Sequence, residues 1–258
     1  MVIREIEART ILSKSQIYEY TLNAYGGCQH NCLYCYAKFM KRFTGHREPW
    51  GSYVDVKINA AELLVREVKK KKKGGVWISG VCDAYQPLEK KYGLTRKCLE
   101  ILVDNGWPVT IQTKSPLVLR DLDVLQRAPD CEAGFTITTA DESIRKIFEP
   151  GAPPVPSRVH ALAALHAAGI RTYVMVAPLL PGSEGLATLL KGSVDHALID
   201  RYNYHYADWA YEKHGLQWAL DDEFFIQEGE QLRSAFEREG VSCRVLYSMA
   251  GPEGRRRG

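Results

Sequence analysis

No stretch of about eighteen consecutive apolar residues occurs in this 258-residue chain, so no segment reads as a membrane-spanning helix. The opening residues, Met1-Val2-Ile3-Arg4-Glu5-Ile6-Glu7, are charged and alternating, unlike the apolar core of a secretory leader. Charge of one sign is scarce as well. The 34 Lys and Arg against 31 Asp and Glu leave a net +3, too mild to argue by itself for a nucleic-acid partner. Internal repeats and linker-like segments are absent, so one domain is expected over 1–258. Its core runs over about 20–203, with an extension over 204–250 and a basic tail over 251–258. A cytoplasmic location is expected, where thiols stay reduced and disulfides are rare.

Cysteine is sparse but concentrated. Three of the seven cysteines fall within Gly26-Gly27-Cys28-Gln29-His30-Asn31-Cys32-Leu33-Tyr34-Cys35-Tyr36-Ala37, spaced C-x3-C-x2-C. Three thiols this close cannot all pair as disulfides, whereas thiolates suit soft metal centres and iron–sulfur clusters. A four-iron cluster held by three cysteines leaves one iron open to a small molecule. The alternative is a structural zinc site, which requires a fourth ligand; His30 is too tightly placed for it, which leaves His46. No second cysteine pair lies at zinc-ribbon spacing.

Around this loop the chain reads as alternating strands and helices. Strands are expected at 20–25, 76–80, 109–113, 134–139, 171–177 and 194–199, each short and apolar or β-branched. Helices are expected at 33–43, 60–73, 94–105, 116–127, 141–148, 157–168 and 183–191, with Asn59 and Ser157 as N-caps. Residues 44–57 read as a loop. Lys69–Lys73 reads as a cationic helix end before Gly74-Gly75, with a nucleic-acid contact as the sharper alternative. Beyond 204 the expectation is two helical stretches, near 207–211 and 222–239, and a short strand at 242–247. Six βα units make an α/β fold with a parallel sheet, a partial (β/α)6 TIM-like barrel.

In such barrels function sits at the carboxyl ends of the strands. The candidates there are Ser79, Cys82 and Asp83; Lys114 and Ser115; Thr138, Thr139 and Asp141; Pro178 and Pro181; and Asp200, Arg201 and Asn203. The cysteine loop follows the first strand and falls on the same rim. The aromatic run Tyr202, Tyr204, Tyr206, Trp209 and Tyr211 reads as packing for the open side of the barrel, or as stacking surface for a flat substrate.

With Tyr34 between the second and third cysteines, the loop completes C-x3-C-x-aromatic-C and resembles the radical S-adenosylmethionine (SAM) enzymes. Four further stretches resemble their spore photoproduct lyase-like branch: Ser79 to Glu89, Thr113-Lys114-Ser115, Leu119-Arg120-Asp121, and Ile147-Phe148-Glu149-Pro150 with Arg158. The resemblance covers about residues 20–185. It implies a 4Fe-4S cluster on Cys28, Cys32 and Cys35, with SAM chelating the open iron. It implies reductive cleavage of SAM to a 5′-deoxyadenosyl radical, which abstracts hydrogen from a substrate. Lys114 would meet the SAM carboxylate, Ser79, Gly80 and Thr138 the methionine end, and Tyr34 the adenine. Cys82 would donate hydrogen to the product radical, and Arg158 would pair with Glu149. Reduced ferredoxin or flavodoxin is the implied electron donor. The substrate, whether nucleic acid, peptide or small metabolite, is not implied. The chain is shorter than the lyase and has no evident basic hairpin for a DNA lesion, which counts against thymine-lesion repair. A non-enzymatic iron–sulfur or zinc protein is the alternative from a different class.

Overall fold

The computed structural model describes residues 1–247; the basic tail lies outside the described residues. Among the described residues the eleven strands are β1 (Val2–Ile6), β2 (Leu12–Lys14), β3 (Tyr20–Leu22), β4 (Tyr25–Gly26), β5 (Tyr53–Lys57), β6 (Val76–Ile78), β7 (Val109–Thr113), β8 (Cys131–Thr136), β9 (Arg171–Val176), β10 (His196–Ile199) and β11 (Ser242–Val245). Eight of them form one sheet in the order β11-β10-β9-β8-β7-β6-β3-β2. From β3 to β11 every neighbouring pair is parallel, and only β2 runs antiparallel at its edge. Six of these strands, β3 and β6 to β10, are the six expected from the sequence. The sheet ends at β2 and β11, so the barrel is partial and open.

The reason is visible in burial. Val76, Ile78, Val109, Ile111, Phe135, Val174, Val176, Ala197 and Ile199 are all buried. Strands covered on both faces need continuous apolar runs, which is what βαβ crossovers produce. Helices Ala60–Lys70, Leu94–Asp104, Glu142–Phe148 and Val155–Ala167 supply the crossovers. Helix Asp222–Arg238 leads back to β11. Among the described residues no helix is long and apolar enough to cross a membrane.

Several expectations are corrected. Residues 53–57 are a strand, not a loop: β5 is the middle of a small second sheet, ordered β1-β5-β4. Its buried Asp55 breaks the apolar run that would have marked it, and the carboxylate is occupied by His46 at 2.9 Å. The helix expected from Leu33 begins only at Tyr36 and is a 3-10 helix through Phe43, because Asn31 at φ 51° and Cys35 at ψ 117° keep the cysteine loop out of helical geometry. Asn59 does not cap its helix by side chain; it exchanges hydrogen bonds with the Ala8 backbone at 2.9 Å each way. Ser157 lies inside a helix that starts at Val155, led in by Pro154. The helix expected over 183–191 shrinks to Leu186–Leu189.

Candidate active site

The cysteine loop turns where only glycine fits. Gly27 sits at φ 91°, and a Cβ there would lie 2.5 Å from the Tyr53 carbonyl oxygen. Backbone bonds then fasten the loop to the end of the fourth βα unit: Leu33 N donates to Phe148 O at 2.8 Å, and Gly151 N donates to His30 O at 3.0 Å. Gln86 fastens its other side, accepting from Gln29 N at 3.0 Å and donating to Gly27 O at 3.2 Å. Gln29 in turn accepts from Leu88 N at 2.7 Å.

Held this way, Cys28, Cys32 and Cys35 line one cavity. Its other walls include Ser79, Gly80 and Cys82 after β6, and Lys114 after β7. Seven of the nine residues expected at the site are therefore together. Ser79 has φ 63°, a left-handed conformation rare outside glycine, and its N–H donates to Leu22 O at 2.7 Å. This kink ends β6 and turns its last residues into the cavity. Gly80 cannot carry a side chain cheaply, since a Cβ would meet Trp77 at 3.0 Å.

Tyr34 and Thr138 lie elsewhere. Both are buried and both donate to the Glu149 carboxylate, Tyr34 through its phenol and Thr138 through Oγ1 at 3.2 Å. Glu149 also forms the expected ion pair with Arg158, at 2.6 Å, with both side chains fully buried. Lys114 reaches the same carboxylate at 3.8 Å, with its ammonium over the Tyr34 ring. Burial alone would raise the Glu149 carboxyl, but Arg158 first, then Lys114 and the Tyr34 hydroxyl, hold it below the usual range. Burial works against the Lys114 ammonium, yet Cys32 and Glu149 carry it above its ordinary value. Thr136, the last residue of β8, lines the cavity in place of Thr138. The strand ends earlier than the sequence suggests, so the rim lies two residues upstream.

The other lyase-like stretches form a second buried network. Tyr25 OH and Thr95 N donate to Glu89 Oε2, and Arg120 Nη2 donates to Glu89 Oε1 at 2.6 Å. Asp121 accepts from Arg120 and from Arg96. Asp83 accepts from Thr113 Oγ1 at 2.6 Å, Lys114 N at 2.8 Å and Tyr85 N at 2.9 Å, fixing one rim loop against the next. These motif residues hold the rim in shape.

The remaining rim candidates are structural or distant. Asp141 caps its helix and Ser115 caps Leu117 N. Thr139 Oγ1 donates to Pro181 O, and Arg201 pairs with Asp222 at 2.5 Å. His46 is taken up by Asp55 and Glu48. Residues not anticipated as cavity walls include Tyr36, Trp77, Gln112 and Thr136. Tyr36 directly follows Cys35, and Gln112 is a polar residue within a β-branched strand; both signals were available. The aromatic run divides: Tyr202 and Tyr211 are buried, while Tyr204, Tyr206 and Trp209 are exposed.

The thiols fit an iron–sulfur cluster. All seven cysteines are free. Burial pushes the Cys32 thiol up to about 12, with Lys114 opposing; burial, then Asp83 and the neighbouring thiols, pushes Cys28 up. Such thiols give up their protons only when a metal compensates the charge. Among the described residues no three His, Cys, Asp or Glu side chains are grouped around a single ion position. A cluster asks for something different, because each thiolate takes its own iron, so sulfurs facing one cavity suffice.

An open, parallel α/β barrel with three free thiols on the carboxyl rim defines the class. The radical SAM superfamily model matches residues 22–184. A protein of Methanocaldococcus jannaschii described as uncharacterized is 38% identical over 181 residues, 69% of this chain and 68% of the relative. The chain belongs to the radical SAM superfamily. A radical SAM Nα-GlyT isomerase of Pseudomonas phage M6 is 26% identical over 160 residues, 61% of this chain but 32% of the phage protein. A solved structure of spore photoproduct lyase complexed with dinucleoside spore photoproduct shares the fold with a TM-score of 0.69 at 17% identity, covering 95% of this chain and 82% of that one.

Proposed function

We propose that this chain is a radical SAM enzyme in which Cys28, Cys32 and Cys35 hold a 4Fe-4S cluster with one iron left for SAM. The observation that carries this reading is three free thiols facing the same cavity as Ser79, Gly80, Cys82 and Lys114 from two other strand ends. When bound, the cluster supplies the electron that cleaves SAM to a 5′-deoxyadenosyl radical, the hydrogen-abstracting species. The chain's own residues bind and orient. Lys114, kept cationic by Glu149, meets the SAM carboxylate. The kinked Ser79-Gly80 backbone lets the methionine end approach closely. Tyr34 and Thr138 serve behind the cavity wall by holding Glu149, which positions Lys114. Cys82 lines the cavity, and its thiol donates to Tyr25 O at 3.3 Å. Burial pushes that thiol up to about 12, so it keeps the hydrogen that a donor must hold. A reduced ferredoxin or flavodoxin would deliver the electron.

A second reading, of the substrate, is favoured by one observation. Tyr36 on the cavity wall lies 6.0 Å from Tyr204, which stacks on Tyr206 at 6.2 Å and 11°. Lys38 lies over the Tyr206 ring. A ladder of rings leading from the cavity, edged by a cation, suits a substrate carrying a flat ring, a nucleobase among them. A thymine-lesion substrate is one case of that reading.

Anaerobic reconstitution tests the main proposal. The expected result is about four irons per chain and 5′-deoxyadenosine on adding SAM and reductant. One bound zinc and no SAM cleavage would support the non-enzymatic alternative instead.

A further inference from the structure

His30 stands midway between Cys28 and Cys32 in the sequence and is 2% exposed. It lines the same cavity as the three thiols. Among the described residues, neither Nδ1 nor Nε2 has a hydrogen-bond partner. Asp83 makes an ion-pair contact with the ring, its Oδ2 3.6 Å from Nε2 and beyond hydrogen-bond reach. That carboxylate already accepts from Tyr85 N, Thr113 Oγ1 and Lys114 N. The backbone that carries the ring is fixed. Its own carbonyl is bound by Gly151 N, and the next residue, Asn31, is fixed at φ 51°. The other side chain in this segment is committed, since Gln29 accepts from Leu88 N. A buried imidazole with no hydrogen bond at either nitrogen is costly, and such groups in folded proteins point to a partner that comes from outside the chain.

We infer that His30 is a positioning residue for the cluster: it donates a ring N–H to a cluster sulfur. This rests on the reading that the three thiols hold a 4Fe-4S cluster. The cavity then offers the ring what the protein does not, an electron-rich acceptor at the centre of the cysteine loop. A hydrogen bond to sulfur draws off negative charge and stabilises the reduced, more negative state of the cluster. His30 therefore makes the cluster easier to reduce.

The test uses the reconstituted full chain with its histidines labelled with 15N. Pulsed EPR of the reduced wild-type cluster should show hyperfine coupling to one histidine nitrogen. His30→Phe should abolish that coupling. The same variant should lower the one-electron reduction equilibrium about tenfold, a midpoint potential about 59 mV more negative. His30→Gln, which keeps an N–H donor, should recover part of that shift. The inference is overturned if a loaded wild-type cluster shows no histidine coupling, a measurement that needs no variant. An unchanged potential in loaded His30→Phe overturns it as well. Wild-type protein that takes up no cluster would contradict the underlying reading, and this inference with it.

Discussion

Glu149 and Cys32 are both buried, Cys32 on the cavity wall and Glu149 behind it. The carboxylate is surrounded by partners from this chain: Tyr34, Thr138, Arg158 and Lys114. The three thiols and His30 line one cavity, and neither ring nitrogen of His30 has a hydrogen-bond partner among the described residues. A buried charge with partners holds a fold in place, whereas buried donors without partners mark where a ligand completes the structure. On the proposed function, the acidic hub is architecture and the thiol cavity is the working part. Lys114 belongs to both.

This contrast breaks if the two regions respond alike to mutation. Cys28→Ala, Cys32→Ala or Cys35→Ala should each abolish the brown chromophore and SAM cleavage while leaving the apo fold intact. Iron content and circular dichroism check the two halves of that statement. Glu149→Gln should do the reverse, leaving the thiols in place but costing about 3–5 kcal/mol in stability, because Arg158 is left buried and unpaired. Chemical denaturation measures it. The Glu149 carboxyl is held below its unfolded value, so its contribution is fully present above the unfolded pKa and fades as pH falls through the folded one. Stability of the wild type should therefore drop in acid below about pH 4.3, the unfolded carboxyl value, and Glu149→Gln should flatten that limb. An equally steep limb in the variant would remove Glu149 from the hub.

The sequence made one side of this comparison more legible than the other. The cysteine spacing and six apolar strands were readable because each is a local pattern, three sulfurs in eight residues or a continuous β-branched run. The hub was only half readable. The Glu149–Arg158 pair was expected, but Tyr34 and Thr138 were assigned to the cofactor. Their partner lies more than a hundred residues away from Tyr34, and no local pattern reports such a contact. Thr138 was misplaced because β8 ends at Thr136, and strand ends are the least marked part of a β-branched run. β5 escaped because buried Asp55 looks like a loop residue until His46 is seen to bind it.

Two smaller effects sharpen the boundary between the regions. Lys114→Ala should weaken SAM binding by about 1.5–3 kcal/mol, roughly tenfold to a hundredfold, with the cluster intact. An unchanged dissociation constant, read by equilibrium dialysis, would assign Lys114 wholly to the hub. Cys82→Ala should cost only about 1 kcal/mol of stability. It should still form 5′-deoxyadenosine, because SAM cleavage precedes the donor's step, but SAM consumption should uncouple from product. Solvent deuterium should enter the wild-type product through the exchangeable thiol. Product free of deuterium, with normal yield from the variant, would remove Cys82 from the chemistry.

The central claim is that three thiolates leave one iron open, and the EPR spectrum of the reduced cluster tests it most directly. If SAM binds that iron, adding SAM to reconstituted wild-type protein should change the g-values and line shape. A spectrum from a fully loaded cluster that is identical with and without saturating SAM would mean a closed site, and would contradict the account.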